Sequence, residues 1–171
     1  MVKVNEGFNH IPDIQKELRY IMNHHIEIGV FGEDDSELLM IARVHEFGVD
    51  IDVTPKMRSY LHYIGIHLSD STEQVKIPER SFMRAGFDNR QKKIQKQAEK
   101  LITDVLMMKT KAKPAMESLG QIMVTQIQSY MTKLREPANH PATVRNKKSS
   151  NPLINSGKLR DEGITYKIRS N

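Results

Sequence analysis

Two long apolar stripes in the second half of the chain constrain its fold more than any other feature. Between Asp88 and Met108, the residues Ile94, Ala98, Leu101, Ile102, Val105 and Met108 recur at helical spacing, while Lys92, Lys93, Lys96 and Lys100 fall off that line. After the link Thr110–Lys113, Pro114 opens a second segment, in which Leu119, Ile122, Met123, Ile127, Tyr130, Met131 and Leu134 form another stripe. Two amphipathic helices with so short a link read as an αα-hairpin. The methionines among them read as core filler.

The first half is mixed. From Pro12 to Asn23, the residues Ile14, Leu18, Ile21 and Met22 share a helical face, and His25–Phe31 alternates as a half-buried strand does. The acidic run Glu33–Glu37 stands where a helix cap belongs, ahead of a helix that closes at Gly48. Val49–Val53 alternates again, with Asp50 and Asp52 expected to face solvent. Thr54 and Pro55 then start a helix carrying Met57, Leu61 and Ile64, and Gly65 stops it. Ile66–Leu68 and Gln74–Ile77 flank the turn-rich Ser69–Thr72, a hairpin pattern. Near the other end, Arg135–Asn151 is rich in Pro, Asn, Lys and Ser and reads as a long basic loop or mobile arm. A helical turn at Gly157–Glu162 and a strand with Ile164, Tyr166 and Ile168 follow. These patterns predict one α+β domain over residues 1–171: a small antiparallel or mixed sheet containing His25–Phe31 and Gly163–Arg169, packed by the two long helices.

Composition narrows the functions open to such a chain. Apolar residues make up 38%, or roughly 40% on the definition that gives ~45–50% for ordinary domains, so the core is thin or shared. Residues 1–89 carry 9 Lys and Arg against 15 Asp and Glu, a net −6, whereas residues 90–171 carry 17 against 6, a net +11. That division suits nucleic acid, an acidic partner, or subunits that pack with opposite charges facing. With no Cys, disulfides, thiolate metal ligands and thiol catalysis drop out. No run of ~18 uncharged apolar residues supports a transmembrane helix, and the opening MVKVNEGFNHIPD has no signal-peptide pattern.

Constellations that would carry chemistry are wanting. His45–Glu46 begins like a zinc-protease motif, but Val49 stands where the second His belongs. His24, His25, His62 and His67 fall at no ligand spacing, and neither a phosphate-binding glycine loop nor a GxSxG elbow occurs. Arg145, Lys147 and Lys148 form a basic stretch without interleaved aromatics. No catalytic residue, cofactor or metal is therefore expected.

Three islands carry more than composition. They are Ala42–Gly48 (ARVHEFG), Ile77–Arg84 (IPERSFMR) and Asn151–Arg160 (NPLINSGKLR). In this order they resemble the tail-completion or neck proteins, also called virion morphogenesis proteins, of long-tailed bacteriophages. The resemblance spans roughly residues 26–169. It rests on His45, Glu46, Phe47 and Gly48, on Ile77, Pro78, Arg80, Phe82 and Arg84, and on Pro152, Leu153, Ile154, Ser156, Gly157 and Leu159. Two departures are Ser81, where a second Pro is common, and a long Asp50–Val75 insertion.

The resemblance implies a non-enzymatic virion subunit that assembles in the bacterial host cytoplasm into a ring, hexameric in the family, at the tail–head junction. Its partners would be copies of itself, a head-connector protein and a tail-tube or tail-terminator protein. DNA would only pass through the lumen, and no membrane would be involved. The alternative is a non-specific nucleic-acid-binding protein using the basic half.

Overall fold

Helix α1 (Ile11–Met22) leads into strand β1 (His24–Gly29), helix α2 (Ser36–Phe47), strand β2 (Val49–Asp52), helix α3 (Pro55–Tyr63) and strand β3 (Gln74–Ile77). The two long helices α4 (Arg84–Leu106) and α5 (Ala112–Lys133) follow, then a short helix α6 (Pro141–Lys147), one wide π-helical turn (Leu159–Gly163) and strand β4 (Thr165–Ser170). The structure, a computed structural model, describes residues 10–33, 35–147 and 149–171. Helices with small two-stranded sheets make an α+β fold.

The described residues divide into two compact units. One comprises the chain up to Ile28 with Gln91–Met123 and Tyr166–Asn171, the other Gly29–Arg90 with Val124–Thr165. In the first, Ile94, Val105, Ala112, Ala115 and Met116 are buried. Glu17 accepts the Ala112 amide at 2.7 Å and so caps the start of α5. Pro114 therefore lies within the first turn of the helix rather than at its first position, and a missing N–H still costs nothing there. The Tyr166 ring lies directly over Gly120, where a β-carbon would overlap it. Strand β4 pairs with β1, as the alternation of both segments predicts. The pairing is antiparallel, since the Asn171 amide beyond the end of β4 meets the Asn23 carbonyl before the start of β1 at 2.9 Å.

The α4 stripe is only partly core. Ile94 and Val105 are buried, but Ile102 and Met108 are each 42% exposed. The helix ends at Leu106, and Met108 takes a positive φ of 57° in the turn that follows, which leaves the end of the stripe at the surface.

In the second unit the core holds Leu38, Ala42, Phe82, Val124, Ile127, Met131, Ala142, Leu153, Leu159 and Ile164. The acidic run before α2 acts as a cap: Asp35 accepts the Leu38 amide at 3.0 Å, while Asp34 lies outside the described residues. Thr54 caps α3 through the Met57 amide at 3.1 Å.

Two expectations need correction here. Ile66–Leu68 forms no strand. Its expected partner β3 pairs instead with β2, with Val49 opposite Ile77, Asp50 opposite Lys76, Ile51 opposite Val75 and Asp52 opposite Gln74. Arg58 holds the intervening turn by donating to the Ser69 carbonyl at 2.8 Å and the Thr72 carbonyl at 2.7 Å. The alternation of β3 then matches that of β2, apolar against apolar and polar against polar. The second correction concerns Arg135–Asn151, which is no structureless loop. It contains α6, with Pro141 at its first position, Ala142 buried and Asn151 buried.

Candidate functional site

Leu38, Ala42 and Glu46 lie four residues apart on α2, so the face that buries the first two also carries the carboxylate of the third inward; Glu46 is only 6% exposed. A charge so placed must be satisfied. It accepts from Ser81 Oγ at 2.7 Å, the amides of Phe82, Met83 and Arg84 at 2.8, 2.9 and 3.1 Å, and Arg84 Nε at 3.0 Å. These amides are the free donors at the start of α4, so the end of one helix caps the beginning of another. Burial raises the Glu46 pKa, but the bonds from the Met83 and Arg84 amides, Ser81 and the Arg84 side chain outweigh it and hold the carboxyl below its ordinary 4.5.

Arg84 completes the clasp. It donates to the Glu46 carbonyl at 3.0 Å and to Glu79 at 2.8 Å, and its guanidinium lies 4.7 Å from the centroid of the Phe47 ring. Ser81 Oγ also accepts the Ala85 amide at 3.3 Å. One hydroxyl thus serves both the Glu46 carboxylate and the first turn of α4. Gly48, at φ 70°, is where α2 turns into β2. A β-carbon there would sit 2.8 Å from Glu79 N and 2.9 Å from the Ile77 carbonyl oxygen, both backbone atoms, so the first two islands meet too closely for any other residue. Pro78 and Ile77 are half-buried beside it, and Phe82 is fully buried.

Arg80 ties this clasp to the segment after α5. Its amide donates to the His45 carbonyl at 2.7 Å. Its side chain, 4% exposed, donates from Nε to the Pro137 carbonyl at 2.7 Å and from one Nη to the Ala138 carbonyl and Asn139 Oδ1, each at 3.1 Å. These acceptors carry no formal charge, and burial lowers the Arg80 pKa.

The third island begins at Asn151, whose Nδ2 donates to the carbonyls of Met131, Thr132 and Leu134 at 3.2, 3.0 and 3.2 Å and so closes the end of α5. Its Oδ1 accepts from the amides of Leu153 and Ile154 at 2.9 and 3.1 Å. Lys147 reaches the Asn151 carbonyl at 2.6 Å, and Asn139 Nδ2 contacts the Pro152 carbonyl at 3.4 Å. Pro152, Leu153 and Leu159 are buried, Ile154 is half-buried, and Ser156 accepts the Lys158 amide at 3.3 Å. Gly157, at φ 92°, makes the turn into the π-helical segment.

His45 is the least satisfied member. Burial foremost, then the charges of Arg80 and Lys147, lower its pKa from 6.5 to about 4, and its buried Nδ1 has no hydrogen-bond partner. It borders a cavity of about 540 Å³ lined also by Lys147, Leu153, Ser156 and Lys158. Among the described residues, no three His, Cys, Asp or Glu side chains group where they would hold a metal ion. The arrangement locks helix ends and the third island into one junction.

The structure therefore brings all three islands together in the second unit. Sequence reasoning passed over the structural roles of Ser81, Asn139, Lys147 and Asn151. A Ser just ahead of a helical stripe was a readable cap signal for the first; a buried Asn closing a helix from eighteen residues away leaves none. No family model, curated protein or solved structure matches the chain.

Proposed function

We propose that this chain is a structural subunit of the neck or tail-completion region of a long-tailed bacteriophage, and that it works by closing into a ring between head-connector and tail proteins. The observation that carries the reading is the convergence of the three family-like islands. Residues spread from Ala42 to Arg160 supply one junction in which Glu46, Arg80 and Asn151 each secure a segment remote in sequence.

A second observation favours assembly. Tyr60 and Tyr63 on α3 are 61% and 86% exposed, aromatic surface that a neighbouring subunit would cover. No helix among the described residues is long and apolar enough to cross a membrane. The competing reading is nucleic-acid binding through the basic half, supported by exposed Lys92, Lys93, Lys96 and Lys100 on α4.

Light scattering after gel filtration, paired with DNA retention across a salt series, separates the two. Closed oligomers indifferent to DNA are the expected result. A monomer that retains DNA at low salt and releases it steeply as salt rises would replace the proposal with its competitor.

A further inference from the structure

The sheet of β2 and β3 has two strands and so two open edges, and among the described residues neither strand has another neighbour. The Val53 amide donates to the Glu73 carbonyl at 2.7 Å. Bonding side alternates along an antiparallel strand, so Val49 and Ile51 bond inward to Ile77 and Val75. The backbone groups of Asp50, Asp52, Gln74 and Lys76 then point out along the two free edges. The pleat gives the ribbon an apolar face of Val49, Ile51, Val75 and Ile77, and a polar face of the other four. All of β2 is exposed, Val49 at 37% and Ile51 at 36%, where the alternation predicts a half-buried strand.

We propose that the free edge of β2 pairs with the free edge of β3 of a second copy of this chain, antiparallel and in the register already found within the subunit. This rests on the ring-forming reading above and names the surface that would serve it. Charge decides which edges meet. A β2 edge against its own copy sets Asp50 and Asp52 against like carboxylates in any register, and two β3 edges together put both Lys76 side chains on one face without bringing either a new carboxylate. Joining β2 to β3 instead places each Lys76 between its own Asp50 and that of the neighbour. Gln74, whose amide already donates to Asp52 at 2.8 Å, gains a second Asp52 beside it.

The same step runs Val49 and Ile51 of one copy alongside Val75 and Ile77 of the next, which extends the apolar face. A contact between two different edges is heterologous and propagates head to tail, and it closes into a ring where the rotation allows.

The absence of Cys makes the test clean. Asp50→Cys and Lys76→Cys variants, each with one thiol at an exposed position, are co-expressed and treated with a short bismaleimide. Each is first checked for unchanged circular dichroism, and the products are identified by mass spectrometry. The expected result is a severalfold excess of mixed products, in which one Asp50→Cys chain is joined to one Lys76→Cys chain, over both same-variant products, persisting on dilution. Closed oligomers without that excess would overturn this interface and leave the ring reading standing. Monomers at every concentration, with no cross-link, would overturn both.

Discussion

Replacing Glu46 with Ala removes the acceptor on which the start of α4 depends. The amides of Phe82, Met83 and Arg84 lose their partner, as do Ser81 Oγ and Arg84 Nε. A buried polar group left unpaired costs about 1–3 kcal/mol. The Phe82 bond is the fully buried one, whereas the Met83 and Arg84 groups are only part-buried and regain water in part. The sum over the stranded donors is therefore about 3–5 kcal/mol. For a chain of this length that lowers Tm by about 6–20 °C.

Glu46→Gln keeps one oxygen but turns an NH2 group toward donors, and its cost is about 2 kcal/mol. Glu79→Ala is the control. Its bond to Arg84 lies in solvent, with both side chains 54% exposed, so the loss stays within about 0.5 kcal/mol. Urea and thermal unfolding followed by circular dichroism read all three variants. A Glu46→Ala protein within about 1 kcal/mol of the parent, or no more affected than Glu79→Ala, would refute the capping argument.

Three other outcomes follow from the same junction. Gly48→Ala meets the Glu79 amide and the Ile77 carbonyl at a positive φ, so urea unfolding should show a loss of about 2–3 kcal/mol; a neutral result contradicts the close approach. His45 binds its proton less readily folded than unfolded, so stability is complete above pH 6.5 and falls as pH drops toward about 4, by on the order of 3 kcal/mol. Glu46, also depressed, adds its loss only below about 4.5, so His45→Gln should flatten the slope between about pH 5 and 6.5 alone. Arg80→Ala frees the Pro137 and Ala138 carbonyls and should hasten tryptic cleavage at exposed Arg145 severalfold; unchanged rates would mean that Arg80 does not fix this segment.

Much of the local structure was legible because its causes are local. Asp35, Thr54, Gly48 and Gly65 act within a turn of where they stand, so caps and stops are readable from neighbours. The β1–β4 pair was legible for a different reason: both segments alternate clearly enough to need a partner. The partner of β3 was not. Four alternating residues fit any apolar strand edge, and the nearest candidate in sequence, Ile66–Leu68, is displaced by the Arg58 grip on Ser69 and Thr72. Helix α6 hid in a polar stretch because its one buried anchor is Ala142, too small to make a stripe.

Within the junction, the islands lie together, but their residues' roles could not be read from the sequence. Nothing in the string Pro-Glu-Arg-Ser reveals that Arg80 is buried against uncharged acceptors, since an arginine in sequence reads as surface.

The proposed role requires that subunits built on this junction close into a ring. Native mass spectrometry of the purified protein over a range of concentrations decides it. A ring-forming subunit gives one dominant closed stoichiometry, with intermediates vanishing as concentration rises. A mass that stays at one chain throughout, or a ladder that grows without limit, would contradict it.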